Sequence, residues 1–297
     1  MNDDIKRKLR YLHLNQLEEN WTRILAESVD MSPPTLLRHV VNVLYDAQTV
    51  RACASRLKGA KIPEPYVMAT YPFDKQPKLN RRKIVSIHDS LDYMTKRQNI
   101  LLVGPTGAGK TGIGTSFLTQ AITHGYSGHF ITFPQLIGDL YRSVAAHKEE
   151  KTLKKYARYA CLQIDELGYV DVEPAQVGLF FRLMSMRHRT KTTIISSNLG
   201  FQEWGTFLKN TQLTAALLDR LTENSHVINM RGCVSIRPKQ AAMNTTLLDD
   251  DDQGPEAAIK NKKRPAGTAP AALAAAQQGA SHINLSAQAL TDQEEQP

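Results

Sequence analysis

Cysteine is scarce in this chain. There are three in 297 residues, Cys53, Cys161 and Cys233, and none is spaced as CxxC. That argues against a disulfide framework and a zinc finger, and fits a reducing compartment. No apolar run approaches the ~20 residues that a membrane-spanning helix needs. The N-terminal stretch mixes Asp3 and Asp4 with Lys6, Arg7, Lys8 and Arg10, and no apolar core of a secretory signal follows it. The expectation is a cytoplasmic protein without a membrane partner. The nine histidines include no HExxH, so zinc-protease chemistry has no support. Residues 240–297 contain no Phe, Trp or Tyr at all.

What the chain has in excess is positive charge. Lys plus Arg is 37 against 29 Asp plus Glu, a net of +8. The distribution is uneven: residues 240–297 carry eight acids and four bases, whereas residues 1–239 carry 33 bases and 21 acids. A basic body with an acidic tail points to a polyanionic partner, nucleic acid first. The tail is Ala/Gln-rich, with Asp249 to Asp252 and Lys262-Lys263-Arg264, and its composition predicts disorder.

The apolar pattern divides the rest. Residues 1–58 read as a small helical domain. Leu9, Leu12, Leu17, Trp21, Ile24 and Leu25 fall near one face at helical period, and Ser32-Pro33-Pro34 looks like a helix start. Residues 59–83 form a basic connector in which Pro63, Pro65, Pro72 and Pro77 forbid a regular helix. Residues 84–239 alternate strand and helix. Strands are predicted at 99–103, 129–133, 160–165, 192–197 and 226–230, with helices at 111–124, 134–146, 175–187 and 211–223. Repeated βα units imply a parallel sheet covered on both faces.

The first of these strands runs into Gly104-Pro105-Thr106-Gly107-Ala108-Gly109-Lys110-Thr111, which fits G-x-x-x-x-G-K-[ST] at every fixed position. Small residues let backbone N–H groups surround phosphate oxygens, and the helix N-terminus adds partial positive charge. Lys110 is the candidate for the β/γ-phosphates and Thr111 for Mg²⁺. Leu162-Gln-Ile-Asp165-Glu166 ends the third strand. Asp165 suits the Mg²⁺ shell. Glu166, a second carboxylate beside it, suits polarising a water for hydrolysis, whereas a small-molecule kinase needs an acceptor pocket instead. Asn198, after the fourth strand, is placed to orient a water or the γ-phosphate. Arg220 and Arg237 are cationic candidates that spacing alone does not separate.

Two basic clusters are candidates for phosphate contact on DNA: Arg81-Arg82-Lys83 in the connector, and Lys151, Lys154, Lys155 and Arg158, which share one face if helical. No zinc finger or recognition helix is evident, so base-specific reading has no support.

Residues 9–239 resemble the IstB family, AAA+ ATPase helpers of bacterial insertion-sequence transposition, and more distantly the DnaC helicase loaders. The resemblance is carried by Gln98 to Thr111, by Leu162-Gln-Ile-Asp-Glu-Leu-Gly-Tyr169, by Ile194-Ile-Ser-Ser-Asn198 and by Leu218-Asp-Arg-Leu221. Lys61-Ile-Pro-Glu64 and Tyr71-Pro-Phe-Asp74 also look like this family's lead-in. The resemblance implies an α/β P-loop AAA+ core with a five-stranded parallel sheet of order 5-1-4-3-2, after a small all-α N-terminal domain. It further implies ATP and Mg²⁺ as cofactors, ATP hydrolysis, and a homo-oligomeric ring or spiral on duplex DNA that recruits or stimulates a cognate transposase. On that pattern Asn198 matches the sensor-1 position and Arg220 the arginine finger, while Arg237 matches a basic position near the end of the core. A DnaC-like helicase loader is the nearest alternative and a small-molecule P-loop kinase the alternative of another class. One departure is Gly112-Ile113-Gly114, where the family more often has His-Leu-Ala; two glycines there cost roughly 1 kcal/mol each against alanine.

Overall fold

Three helices open the chain. α1 (Asp3–Tyr11) starts where the Asn2 side chain accepts the Asp4 N–H at 3.1 Å, with Asp3 and Asp4 in its first turn and Lys8 and Arg10 in its last. Both ends match the helix dipole. α2 (Asn15–Glu27) packs against α3 (Pro33–Gly59), which starts at Ser32-Pro33 and runs to Gly59, as the sequence predicts. The Ser32 hydroxyl pairs with Thr35 Oγ1 at 2.9 Å and caps no backbone N–H. The structure, a computed structural model, describes residues 1–169 and 172–237; the disorder expected for 240–297 lies outside them.

The proline-containing stretch makes only two single-turn 3₁₀ segments, Met68–Thr70 and Phe73–Lys75. It is nonetheless packed: Met68, Tyr71, Phe73 and Leu79 are buried in the same apolar cluster as the core of the sheet. Arg81, Arg82 and Lys83 form the first turn of α4 (Arg81–Ser90), with the Lys83 N–H capped by Asn80 Oδ1 at 3.0 Å. α5 (Asp92–Thr95) follows.

Five strands then build one sheet: β1 (Asn99–Val103), β2 (Gly128–Thr132), β3 (Cys161–Leu167), β4 (Thr192–Ser197) and β5 (Ser225–Asn229). All pairings are parallel and the order is β2-β3-β4-β1-β5, which is the 5-1-4-3-2 arrangement of the AAA+ core. The crossovers are α6 (Lys110–Thr123), α7 (Phe133–Ala145), α8 (Glu149–Ala157), α9 (Pro174–Arg187), α10 (Phe201–Phe207) and α11 (Thr211–Thr222). The strand period of two divides the core. Ile100, Leu102 and Ile194 join the α6 side, whereas Leu101, Ile164 and Ile195 join the side with α7 and α9. α6 lies under apolar surface on most sides, with Ile113, Phe117, Leu118, Ala121 and Ile122 fully buried. The sheet presents the carboxyl ends of β1, β3 and β4 together, which is where ligands bind in open α/β folds.

Candidate nucleotide site

The loop Gly104–Gly109 joins β1 to α6. Gly107 and Gly109 have φ of +83° and +89°, a backbone region that residues with a Cβ rarely adopt. The outer side of the loop is held by segments remote in sequence. Tyr71 donates its hydroxyl to Ala108 O at 2.7 Å, and Ile236 donates its N–H to Gly107 O at 2.9 Å. Gln76 clamps the second of these segments by exchanging two bonds with the Val234 backbone, at 2.6 and 3.0 Å. The connector and the stretch after β5 therefore form a brace on the phosphate loop.

Lys110 is only 7% exposed and donates to Gly104 O and Pro105 O, both at 2.8 Å. Burial lowers its ammonium below the ordinary lysine value; Asp165 opposes the shift and Arg237 adds to it. Thr111 Oγ1 donates to Asp165 Oδ2 at 2.8 Å, and Ser196 Oγ donates to Asp165 Oδ1. Glu166 is exposed at φ +63°, where the pairing of β3 with β4 is interrupted between Ile164 and Leu167. Its N–H donates to Ser196 Oγ at 3.2 Å. Tyr169 hydrogen-bonds Thr106 across the mouth at 2.8 Å. A cleft of about 930 Å³ is lined by Lys110, Thr111, Asp165, Glu166 and Arg237 among others, a size that suits a nucleotide.

The residues fit a nucleotide with its metal ion. Mg²⁺ takes oxygen ligands at about 2.0–2.1 Å in an octahedron, so neighbouring ligands lie about 3 Å apart. The Thr111–Asp165 oxygen pair has that separation. Among the described residues no group of three or more His, Cys, Asp or Glu is arranged for a metal, so nothing there suggests zinc.

The other candidates are distributed differently. Asn198 lies against Gly168, its Oδ1 buried without a hydrogen-bond partner among the described residues and 2.6 Å from where a Cβ on Gly168 would sit. Arg220 is not brought to this cleft. It projects from α11 onto α9, bonding Ser185 Oγ at 3.1 Å with its guanidinium 4.6 Å from the Phe181 ring centroid. Gly112 and Gly114 do not simply soften α6. A Cβ on Gly112 would meet the Tyr66 ring at 3.2 Å, and one on Gly114 would meet Gln163 Nε2 at 2.6 Å, so both gaps are filled.

The basic residues of the second cluster fall on α8 and its C-cap, all exposed. Lys154 pairs with Glu150 at 3.4 Å, Lys155 with Asp139 at 3.8 Å, and the Arg158 guanidinium lies 5.5 Å from the Tyr159 ring centroid. Lys151 has no ion pair among the described residues. The helix is anchored by Arg187, which is 1% exposed. Its guanidinium donates to Tyr156 O, Tyr159 O and Thr192 O at 3.0, 2.8 and 2.5 Å. Burial pulls its pKa down to about 10.

Ser196, Tyr71, Gln76 and Ile236 are the site residues that sequence reading misses. Ser196 and Tyr71 stand inside recognisable strings, but their partners are thirty or more positions away.

The chain is similar to several known proteins. The chain is 30% identical over 78% of its length to a protein named for insertion sequence IS5376 and ATP binding in Geobacillus stearothermophilus, covering 93% of that protein. It is 31% identical over 70% of its length to the corresponding insertion sequence IS21 protein of Pseudomonas aeruginosa, covering 80% of it. Among solved structures, the DnaC helicase loader superposes with a TM-score of 0.45 at 20% identity, over 53% of this chain and 90% of that one. The IstB-like ATP binding protein family matches residues 7–243, and the chain belongs to that family.

Proposed function

We propose that this protein is a Mg²⁺-dependent ATPase that assembles as a homo-oligomer on duplex DNA and recruits or stimulates the transposase of its insertion sequence. The observation that carries the reading is the hydrogen-bonded run from Thr111 through Asp165 and Ser196 to Glu166. It sets a carboxylate suited to a metal and an exposed carboxylate, without an ion pair among the described residues, side by side next to a phosphate loop. Lys110 would leave the two loop carbonyls for the β/γ-phosphates, Thr111 and Asp165 would hold the metal, and Glu166 would take a proton from the attacking water. Asn198 would orient the water or the γ-phosphate. Mg²⁺ would supply charge neutralisation between the phosphates.

The position of Arg220 supports assembly. Its guanidinium rests on the outer side of α9 and reaches nothing in its own cleft. Such a residue serves hydrolysis when it enters the cleft of a neighbouring copy, where an arginine finger contributes ~10³–10⁵ in rate. Arg237, which lines its own cleft, is assigned to the phosphates of the same copy. The excess of basic residues over 1–239 supports a sequence-independent attraction to DNA, with Arg81, Arg82, Lys83, Lys151, Lys154, Lys155 and Arg158 as the contacts. The insertion-sequence relatives support a transposase as the partner.

The test is ATP turnover by purified protein with Mg²⁺, with and without duplex DNA, together with capture of partners on immobilised protein. Turnover that rises on DNA and retention of a transposase are expected. Absence of turnover under all these conditions would overturn the enzyme reading, and retention of a replicative helicase in place of the transposase would overturn the assigned partner.

A further inference from the structure

One buried hydroxyl in the cleft does two things at once. Ser196 is 2% exposed on β4. Its Oγ donates to Asp165 Oδ1 and accepts the N–H of Glu166 at 3.2 Å. A serine hydroxyl has one proton and two lone pairs. With the proton committed to Asp165, a lone pair is left for Glu166. The other Asp165 oxygen, Oδ2, faces Thr111. Ser196 therefore occupies one oxygen of the carboxylate and leaves the other, which Thr111 meets, for a metal.

Glu166 needs this support. Its φ of +63° is one that a side-chain-bearing residue holds only where its surroundings over-determine it. It lies where the β3–β4 ladder is interrupted, between the Ile164–Ile195 and Leu167–Ser197 pairs. An N–H there has lost its ladder acceptor, and Ser196 replaces it. Ser197, the next residue, performs the matching service on the far side of the gap by donating to Leu167 O at 2.9 Å. The left-handed turn is what exposes the Glu166 side chain next to the end of an otherwise buried strand.

We infer that Ser196 is a positioning residue for hydrolysis: it fixes the aim of Glu166 and the metal-facing oxygen of Asp165 without itself meeting the nucleotide. The inference rests on the ATPase reading above. It is tested with Ser196→Ala and Ser196→Thr in the full chain, by three measurements: affinity for Mg²⁺–AMPPNP, steady-state ATP turnover, and hydrogen exchange at the Glu166 amide in nucleotide-free protein. Ser196→Ala is expected to bind AMPPNP within about threefold of the parent, since Lys110 and the loop are untouched. Its turnover should fall by on the order of thirtyfold, less than the ~10²–10⁴ lost with a general base itself, because Glu166 is displaced and not removed. Its Glu166 amide should exchange about tenfold faster, the loss of one neutral hydrogen bond. Ser196→Thr keeps the hydroxyl on a strand-favouring residue and should restore all three.

Unchanged turnover in Ser196→Ala, or an unchanged Glu166 amide, overturns the inference. So does a parallel loss of AMPPNP binding and turnover, which would make Ser196 a general support of the fold. A parent protein that binds AMPPNP but hydrolyses no ATP would overturn the ATPase reading instead, and the amide measurement would still decide whether Ser196 holds Glu166.

Discussion

The nucleotide cleft and the basic helix α8 belong to one sheet and its crossovers and are built on opposite principles. In the cleft the two charged groups at the phosphate loop are buried and fixed by named partners, Lys110 by two carbonyls and Asp165 by two hydroxyls, and the loop itself is held by Tyr71 and Ile236. On α8 the charges are exposed; Lys154 and Lys155 pair with acids at the surface, and only the helix beneath them is fixed, by Arg187. Exposed pairs are screened and worth at most about 1 kcal/mol. The contrast teaches where single substitutions matter. A cleft that aligns a few atoms responds steeply to each of them, whereas a surface that neutralises phosphates responds in small and nearly equal steps.

The largest effect is expected at Arg220. Arg220→Ala should keep AMPPNP affinity and lose ~10³-fold or more in turnover, measured by phosphate release; mixing it with a Lys110→Ala protein, whose own sites are empty, should restore part of the rate if the finger acts between copies. Full turnover by Arg220→Ala alone would remove the between-copy assignment. Next comes Glu166→Gln, which should retain AMPPNP binding, lose roughly 10²–10⁴ in turnover, and form a DNA complex that persists in ATP. Rapid release of that variant from DNA in ATP would contradict the role of hydrolysis in disassembly.

Smaller effects sharpen the other side. Arg187→Met removes donors from several buried carbonyls and should lower unfolding free energy by about 3 kcal/mol, an unpaired buried acceptor costing ~1–3 kcal/mol; urea unfolding measures it. If α8 carries DNA contacts, nonspecific DNA affinity should fall in that variant more than AMPPNP affinity. Smallest of all, Lys151→Ala together with Lys154→Ala should reduce the slope of log affinity against log salt by about 2 for duplex DNA, the two phosphates no longer neutralised, with nucleotide binding unchanged. An unchanged slope would remove α8 from the DNA surface.

Legibility in the sequence followed the distance between interacting residues. The phosphate loop is eight contiguous residues, and the strand Thr192–Ser197 is one contiguous Thr-Thr-Ile-Ile-Ser-Ser stretch, so both are readable to the residue. The edge strands β2 and β5 begin one residue earlier than the pattern suggests, and β3 runs on to Leu167 through the interruption at Glu166. The seven-residue α10, whose one buried side chain is Trp204, leaves too few apolar positions to show a period. The brace on the loop joins Gln76 to Val234, 158 positions apart, and no local pattern announces it. Ser196 was in plain view beside Asn198, but its value lies in the break of the β3–β4 ladder, which exists only once the sheet is formed. Gly112 shows the reverse: read locally it is a weak spot in a helix, and in the fold it is the space that Tyr66 occupies.

The joining of copies of this chain on DNA by a nucleoside triphosphate is measured most directly as molar mass in solution, by sedimentation velocity with Mg²⁺, AMPPNP and a duplex of several tens of base pairs. Sedimentation as a multi-subunit complex that dissolves when ADP replaces AMPPNP, or when Arg220 is replaced by alanine, is the predicted result. A species of one chain under all these conditions would contradict it.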